Sequence, residues 1–192
     1  TDGAGNNASC SFTITINAAG PPQISNCPSN IPQGTDADVC EAQVSWIAPT
    51  ASDEGSVVSF TSTHSPGSIF PVGTTTVTYT ATDNDDNTTT CSFDVVVEDT
   101  EAPQIDCPAN ISTIAEVGTE SAVINYSAPV GTDNCSGAAT NRVAGLGSGS
   151  EFPIGTTTET YEVSDAAGNN TSCSFTITVE APVQGPSIQS FV

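Results

Sequence analysis

Apolar and polar residues alternate in short runs along the whole chain, as in VSW (44–46), TTTVTYTA (74–81) and CSFDVVV (91–97). The runs are rich in β-branched residues, and Gly, Pro, Asn or Asp interrupts them about every ten residues. A period of two is typical of half-buried strands, and no stretch keeps the period of a helix. The pattern therefore predicts an all-β protein built of antiparallel sandwiches of the immunoglobulin or fibronectin type III kind.

The sequence repeats itself with a period of roughly 80 residues, which indicates tandem domains. The opening phrase TDGAGNNASCSFTITI returns as TDNDDNTTTCSFDVVV and as SDAAGNNTSCSFTITV. Stretches rich in proline and acidic residues separate the copies and predict linkers. We expect complete repeats at residues 20–98 and 101–180. Residues 1–17 are expected to be the end of a preceding repeat or a donated strand, and residues 181–192 a linker or the start of a further unit.

The alternation also predicts which side chains face the core. The expected inward positions are Val44, Trp46, Val77, Tyr79, Phe93 and Val95 in the first repeat and Ile124, Tyr126, Tyr161, Phe175 and Ile177 in the second. Glu159 occupies the position that corresponds to Val77 and does not fit an apolar face. We therefore expect Glu159 at a strand edge, with its carboxylate in solvent.

Composition excludes several classes of function. The chain has 22 acidic residues against one basic residue and a formal net charge of −21, which argues against a nucleic-acid partner. No apolar run approaches the ~20 residues that a membrane span requires. The single histidine, His64, has no counterpart in the second repeat, and the acidic residues fall in turns and linkers. Catalysis by a histidine-based triad or a pair of carboxylates is therefore not expected, and we predict that the chain is not an enzyme.

Several motifs recur in a fixed order: CP-x-N-I, an aromatic residue before x-A-P, D-N-C, F-P-x-G-T-T-T-x-T-Y, and D-x-x-G-N-x-x-x-C-S-F. This order resembles the hyalin repeat, a module of extracellular matrix and adhesion proteins. The resemblance covers both repeats and the opening phrase. Hyalin repeats usually carry four cysteines, and both repeats depart from that number. The first has SDEG (52–55) in place of the D-N-C motif, and the second lacks a counterpart of Cys40, with Ser121 or a neighbour there instead.

Seven cysteines in small sandwiches predict disulfides and therefore an extracellular or cell-surface location. In a sandwich, the loop after the second strand and the loop before the last strand lie at one pole, which favours a Cys135–Cys173 bridge. A second, weaker expectation is a Cys27–Cys40 bridge, which would close a short loop between the first two strands. Cys91 and Cys107 then have no obvious partner. Cys10 is expected to pair with the D-N-C cysteine of a preceding repeat.

A calcium site is expected at one pole of the second repeat. Two loops bring Asp133 and Asp165, and the entering linker adds Glu98, Asp99 and Glu101. Calcium binds six to eight oxygen ligands, several of them often carboxylate, so these five residues would suit it. The resemblance to the hyalin repeat also implies calcium, through the calcium-dependent matrix of that family. The alternative is a set of solvated acidic residues whose repulsion is screened by salt.

Glycans are a further possibility, because the chain contains seven N-x-S/T sequons. They begin at Asn7, Asn87, Asn110, Asn125, Asn134, Asn169 and Asn170. The alternative is that a chain rich in Asn, Ser and Thr forms such triplets by chance.

Two functions remain open from the sequence. The favoured one is a structural module of an extracellular repeat protein or filament, such as a surface fibre, a sheath or a long adhesin. Its partners would be further copies of itself or adjacent repeats of a longer chain. The alternative is a cell-adhesion module whose loops bind a carbohydrate or a protein. Trp46, the only tryptophan, falls on an inward strand position, which favours the structural function.

Overall fold

The computed structural model describes residues 3–7, 9–13 and 20–183 of the chain. Within these ranges the protein is all-β, which confirms the predicted fold class. No helix in the described ranges is long and apolar enough to cross a membrane. Part of the predicted segment 1–17, and most of the predicted segment 181–192, lie outside the described residues.

The first repeat contains eight short or medium strands. They are β1 (Gln23–Ser25), β2 (Ile31–Gly34), β3 (Glu41–Val44), β4 (Thr50–Ser52), β5 (Val57–Ser62), β6 (Ser68–Pro71), β7 (Gly73–Asp83) and β8 (Thr88–Glu98). Four of them form a sheet in the order β2-β8-β7-β5, while β1 pairs with β4 and β3 pairs with β6. The order places β2 directly beside the last strand, β8.

The second repeat has the same plan with six strands. They are β9 (Ile111–Ile114), β10 (Ser121–Ile124), β11 (Ala139–Ala144), β12 (Ser150–Pro153), β13 (Gly155–Ser164) and β14 (Asn170–Glu180). The larger sheet has the order β11-β13-β14-β9, and β10 pairs with β12. Strand β9 runs parallel to β14, and the other pairs are antiparallel. An isolated bridge between Gln104 and Thr132 stands where the first repeat has its β1–β4 pair.

A recurrent Asp–Asn pair forms the turn of the long hairpin in each repeat. Asp83 accepts hydrogen bonds from the backbone N–H of Asp85 and Asn87 and from the Asn87 side chain. Asp165 accepts the corresponding bonds from the backbone and side chain of Asn169. Such local bonds favour a turn over a continued strand. They explain why an aspartate stands at the same distance before the CSF motif in both complete repeats.

The alternation of the long hairpins buries one face of each strand. In the second repeat one cluster combines buried residues from β10, β12, β13 and β14, so the two sheets share a core; its buried members are Ala115, Ile124, Phe152, Tyr161, Phe175, Ile177 and Val179. All the predicted inward positions are buried except Trp46 and Tyr126, which are half-buried. Threonine and serine hydroxyls pair on the opposite face, as between Thr160 and Ser174 at 2.9 Å.

The expectation for Glu159 was wrong. Its side chain is fully buried in the middle of β13. Its carboxylate accepts hydrogen bonds from the backbone N–H of Leu146 at 2.5 Å and of Gly147 at 3.1 Å, and from the Tyr126 hydroxyl at 2.8 Å. A buried carboxylate is tolerated when donors of this kind satisfy it. The period of the strand was therefore a better guide to the position of Glu159 than its charge.

Residue contacts divide the chain into two compact units that do not coincide with the repeats. One contains residues up to Ile31 together with Ser45–Ser68 and Thr75–Asp94, and the other contains Pro32–Val44, Ile69–Thr74 and residues from Val95 onward. The turn between β2 and β3 thus belongs to the same unit as the whole second repeat.

Candidate functional site: disulfide bridges and a cation site

Two disulfides occupy equivalent positions in the repeats. Cys27 pairs with Cys91 and Cys107 pairs with Cys173, with Cα–Cα distances of 5.9 and 5.6 Å. Each bridge joins the cysteine of the CP-x-N-I motif to the cysteine of the CSF motif. The predicted Cys135–Cys173 and Cys27–Cys40 pairs are therefore wrong, and Cys91 and Cys107 do have partners.

The CP-x-N-I motif explains this pairing. Asn30, three residues after Cys27, accepts a hydrogen bond from the backbone N–H of Asp94, three residues after Cys91. In the second repeat Asn110 accepts the same bond from Thr176 N–H. The asparagine thus holds its segment alongside the last strand, which brings the two cysteines of each repeat together. The recurrence of both motifs in both repeats, with their cysteines 64 and 66 residues apart, was the signal in the sequence that could have identified these bridges.

The third disulfide, Cys40–Cys135, joins the turn between β2 and β3 to the D-N-C loop, with a Cα–Cα distance of 4.8 Å. Two hydrogen bonds support it within the same compact unit. The backbone N–H of Asp38 donates to the Glu101 carboxylate at 2.9 Å, and the Asn134 side chain donates to the Val39 carbonyl at 2.9 Å. Cys135 is thus committed to a residue of the first repeat and cannot pair with Cys173.

Cys10 is a free, exposed thiol in the structure. It occupies the CSF position, which in both complete repeats pairs with the cysteine of the CP-x-N-I motif. The prediction that Cys10 pairs with a D-N-C cysteine does not agree with this pattern.

Two carboxylates of the predicted calcium site come together beside the third bridge. Ligand atoms of Asp99, Asp133 and Cys135 all lie within 4.8 Å of one another. The Cys135 sulfur is in a disulfide and offers no thiolate, so the two aspartates are the charged donors. Asp99 is only 9% exposed. Asp133 is half-buried, and two carboxylates this close repel each other unless a cation lies between them.

Unpartnered oxygens lie on the same loop. The Oδ1 atoms of Asp133 and Asn134 are buried and have no hydrogen-bond partner among the described residues. The other carboxylate oxygen of Asp133 accepts a bond from the Cys135 backbone N–H at 2.9 Å, which fixes the orientation of the group. Buried polar atoms without a partner are rare and call for a ligand, an ion or a water. Asn134 is a candidate ligand that was not among the five residues expected from the sequence.

The other three predicted ligands are not part of this cluster. The Glu101 carboxylate accepts the bond from Asp38 N–H, and Glu98 is exposed at the end of β8. Asp165 is occupied by its own turn. Burial tends to raise the pKa of Asp165, but hydrogen bonds, first from the Asn169 side chain and then from the backbone, outweigh it and hold the pKa below its ordinary value. The predicted set of five thus narrows to Asp99 and Asp133.

Asp133 also lines a small cleft of about 130 Å³ in the same compact unit. Its lining residues are Asp38, Glu101, Ala102, Gln104, Thr132, Asp133 and Asn134. The lining carries three carboxyl groups and no basic side chain, so the cleft favours cations over anions.

At least three of the seven predicted sequons use their side-chain nitrogen inside the fold. The Nδ2 atom of Asn87 donates to Asp83, that of Asn134 donates to Val39, and that of Asn169 donates to Asp165. A glycan would have to replace these bonds. Asn110, Asn125 and Asn170 are exposed and stay candidates for glycosylation.

The sequence matches the HYR domain family twice, over residues 19–97 and 98–179. It is 42% identical over 189 residues to a hyalin of Strongylocentrotus purpuratus, covering 94% of this chain and 16% of that protein. It is 37% identical over 185 residues to a hyalin of Lytechinus variegatus, covering 93% of this chain and 35% of that protein. Among solved structures, extracellular cadherin domains 3–6 of protocadherin gamma B2 match 88% of this chain and 53% of that chain, with 16% identity and a TM-score of 0.38. The chain belongs to the HYR domain family and carries two tandem copies of the domain.

Proposed function

We propose that this chain is a structural module of an extracellular repeat protein or filament, in which HYR domains act as load-bearing spacers. The observation that carries the proposal is the interlaced order of the three bridges. Cys40 lies inside the loop closed by Cys27–Cys91, and Cys135 lies inside the loop closed by Cys107–Cys173. Disulfides persist in oxidising compartments, which supports an extracellular location.

The bridges limit how far the chain can extend under tension. A pull on the two ends passes directly across Cys27–Cys91 and across Cys107–Cys173. Between Cys27 and Cys173, only the residues from Cys91 to Cys107 stay extensible along this path. Both sandwiches could lose their hydrogen bonds without releasing the backbone within the two loops. Such a chain keeps its length under load, which suits a spacer.

The positions of Trp46 and Tyr126 support the same proposal. Trp46 packs edge-on against Phe93, with ring centroids 5.3 Å apart, and its Nε1 donates to the Tyr79 hydroxyl at 2.9 Å. Tyr126 packs edge-on against Phe175 in the second repeat. These rings stabilise the cores, so they are not available to stack on a sugar.

Force spectroscopy of the chain between two handles tests this function. Between Cys27 and Cys173, the oxidised protein is expected to extend only through the residues from Cys91 to Cys107, by about 5 nm. A reductant is expected to release about 20 nm more from each of the loops closed by Cys27–Cys91 and Cys107–Cys173. Full extension of the oxidised chain would contradict the proposal. Saturable binding of a glycan to a chain without such resistance would favour the adhesion function instead.

We also propose that calcium binds at Asp99 and Asp133, with the Asn134 side-chain oxygen as a further ligand. Hard oxygen donors of this kind suit calcium. The ion would neutralise the buried Asp99 and the half-buried Asp133 and would satisfy the unpartnered oxygens of Asp133 and Asn134. Because Asn134 also donates to Val39, the ion would stiffen the turn that carries Cys40.

A further inference from the structure

A large open cleft lies at one pole of the first repeat. Its volume is about 880 Å³, and its lining residues are Gly20, Pro21, Pro22, Gln23, Ile24, Ser52, Asp53, Glu54 and Thr89. All of these belong to the first compact unit. We call this the first-repeat cleft.

The first-repeat cleft is equivalent in sequence to the cleft beside the cation site. GPPQI (20–24) corresponds to EAPQI (101–105), and SDEG (52–55) corresponds to TDNC (132–135). The backbone agrees with this alignment, because Gln23 pairs with Ser52 as Gln104 pairs with Thr132.

The loop geometry agrees as well. The Gly55 backbone N–H donates to Asp53 Oδ2 at 2.9 Å, as the Cys135 N–H donates to Asp133 Oδ2 at 2.9 Å. The same loop conformation therefore frames both clefts. Gly55 stands where the second repeat has the bridging cysteine.

The cleft of the second repeat already holds a turn. The turn between β2 and β3 reaches it through the Asp38–Glu101 bond, the Asn134–Val39 bond and the Cys40–Cys135 bridge. We propose that the first-repeat cleft receives the corresponding turn of another HYR domain, in a joint that is not covalent. This inference rests on the proposed role of the chain in a repeat array.

The chain also carries a turn of the right kind in its second repeat. Thr119 N–H donates to the Glu116 carbonyl at 3.0 Å, as Val39 N–H donates to the Asp36 carbonyl at 3.3 Å. Alignment of the strands that follow, β10 with β3, places Glu120 where the first repeat has Cys40. Gly55 corresponds to Cys135 and Glu120 corresponds to Cys40, so neither position has the cysteine that forms the Cys40–Cys135 bridge.

The charges of the first-repeat cleft and of the turn before β10 make this joint weak and reversible. Glu54 replaces Asn134 and cannot donate the hydrogen bond that Asn134 gives to the Val39 carbonyl. Asp53 and Glu54 would also face Glu116 and Glu120, so the contact depends on cations or on screening by salt. A pair of repeats linked by a disulfide would thus alternate with joints that can open.

Cysteine trapping between two copies of the chain tests this inference. In a Cys10→Ser background, one copy carries Gly55→Cys and the other carries Glu120→Cys. The two are mixed with calcium in 0.15 M salt and oxidised with copper phenanthroline. We expect a disulfide-linked heterodimer at several times the yield obtained when Thr61→Cys, on the exposed part of β5, replaces Gly55→Cys.

Equal yields from the two pairs would overturn the inference. A cysteine at position 55 lies close to Asn84, so Glu54→Cys serves as a second probe of the same loop if Gly55→Cys does not fold. If trapping fails with both probes, this mode of docking is lost. The spacer function would be unaffected by this result, because the force measurement that tests it uses a single copy of the chain.

Discussion

The Tyr126 hydroxyl donates a 2.8 Å hydrogen bond to the buried carboxylate of Glu159. The first repeat solves the same packing problem with Trp46 and Val77, where the larger indole donates to Tyr79 instead. Tyrosine is smaller than tryptophan, and the carboxylate at the neighbouring position takes up the polar contacts. Trp46 with Val77 and Tyr126 with Glu159 therefore fill the same two core positions as alternative pairs.

We expect Glu159→Val, which copies the first repeat, to destabilise the second repeat by about 2–4 kcal/mol. The reason is that the Leu146 and Gly147 N–H groups lose their buried acceptor. Chemical denaturation measures the change. Exposed Glu151→Gln is the control and should have little effect. A stable Glu159→Val variant would show that these N–H groups do not need the carboxylate.

Gly145→Ala should also destabilise the second repeat. Gly145 has a φ of +95°, and a Cβ there would lie 2.2 Å from Glu159 Oε1. Gly168→Ala is a matched control, with a φ of +97° and no atom within 4 Å of the added Cβ. Both variants place an alanine at a positive φ, which is unfavourable in each. A larger fall in melting temperature for Gly145→Ala than for Gly168→Ala therefore measures the clash with Glu159. Equal losses would contradict this account.

Disulfide mapping should recover a peptide pair joined through Cys40 and Cys135. The chain has no lysine and one arginine, so a protease that cleaves at acidic residues is the appropriate choice. In a Cys40→Ser variant, Cys135 should become available for alkylation, whereas Cys173 should stay protected in its bridge to Cys107. Peptides that join Cys135 to Cys173 would contradict the observed pairing.

Calcium should raise the melting temperature at fixed ionic strength, and a chelator should reverse the effect. Asp99→Asn combined with Asp133→Asn should abolish the response, because two carboxylates of the site are lost. Asp85→Asn combined with Asp86→Asn removes the same charge from exposed positions of the first repeat and should preserve the response. A melting temperature that ignores calcium in the unmodified protein would end the calcium proposal.

Acid should destabilise the long hairpins. Hydrogen bonds, first from the Asn87 side chain, outweigh burial and hold the pKa of Asp83 below its ordinary value of 3.8. A lowered pKa contributes stability that is present above pH 3.8 and is lost as the pH falls through the pKa of the folded state. Asn87→Ala should reduce this dependence, as measured by denaturation between pH 7 and pH 2.5, and exposed Asn141→Ala should not. An identical acid response in the two variants would contradict the role of Asn87.

Alternation in the sequence predicted the strands and the buried faces because each depends on local spacing. The bridges depend on which distant segments lie side by side. Parallel pairing of β9 with β14 joins segments more than 60 residues apart, and local spacing carries no direct signal of it. Loop position at one pole therefore favoured a partner for Cys135 within its own repeat. Loop position likewise could not distinguish Asp165, which binds its own turn, from Asp133, which lies beside Asp99.

The Cys40–Cys135 bridge takes one sulfur from each of two successive repeats. Gene recombination that copied or deleted a single repeat would leave one of these cysteines without its partner. Copying both repeats together would preserve every bridge described above. In an array built from this sequence, the unit of duplication would therefore be the pair of repeats, and the number of repeats would change in steps of two.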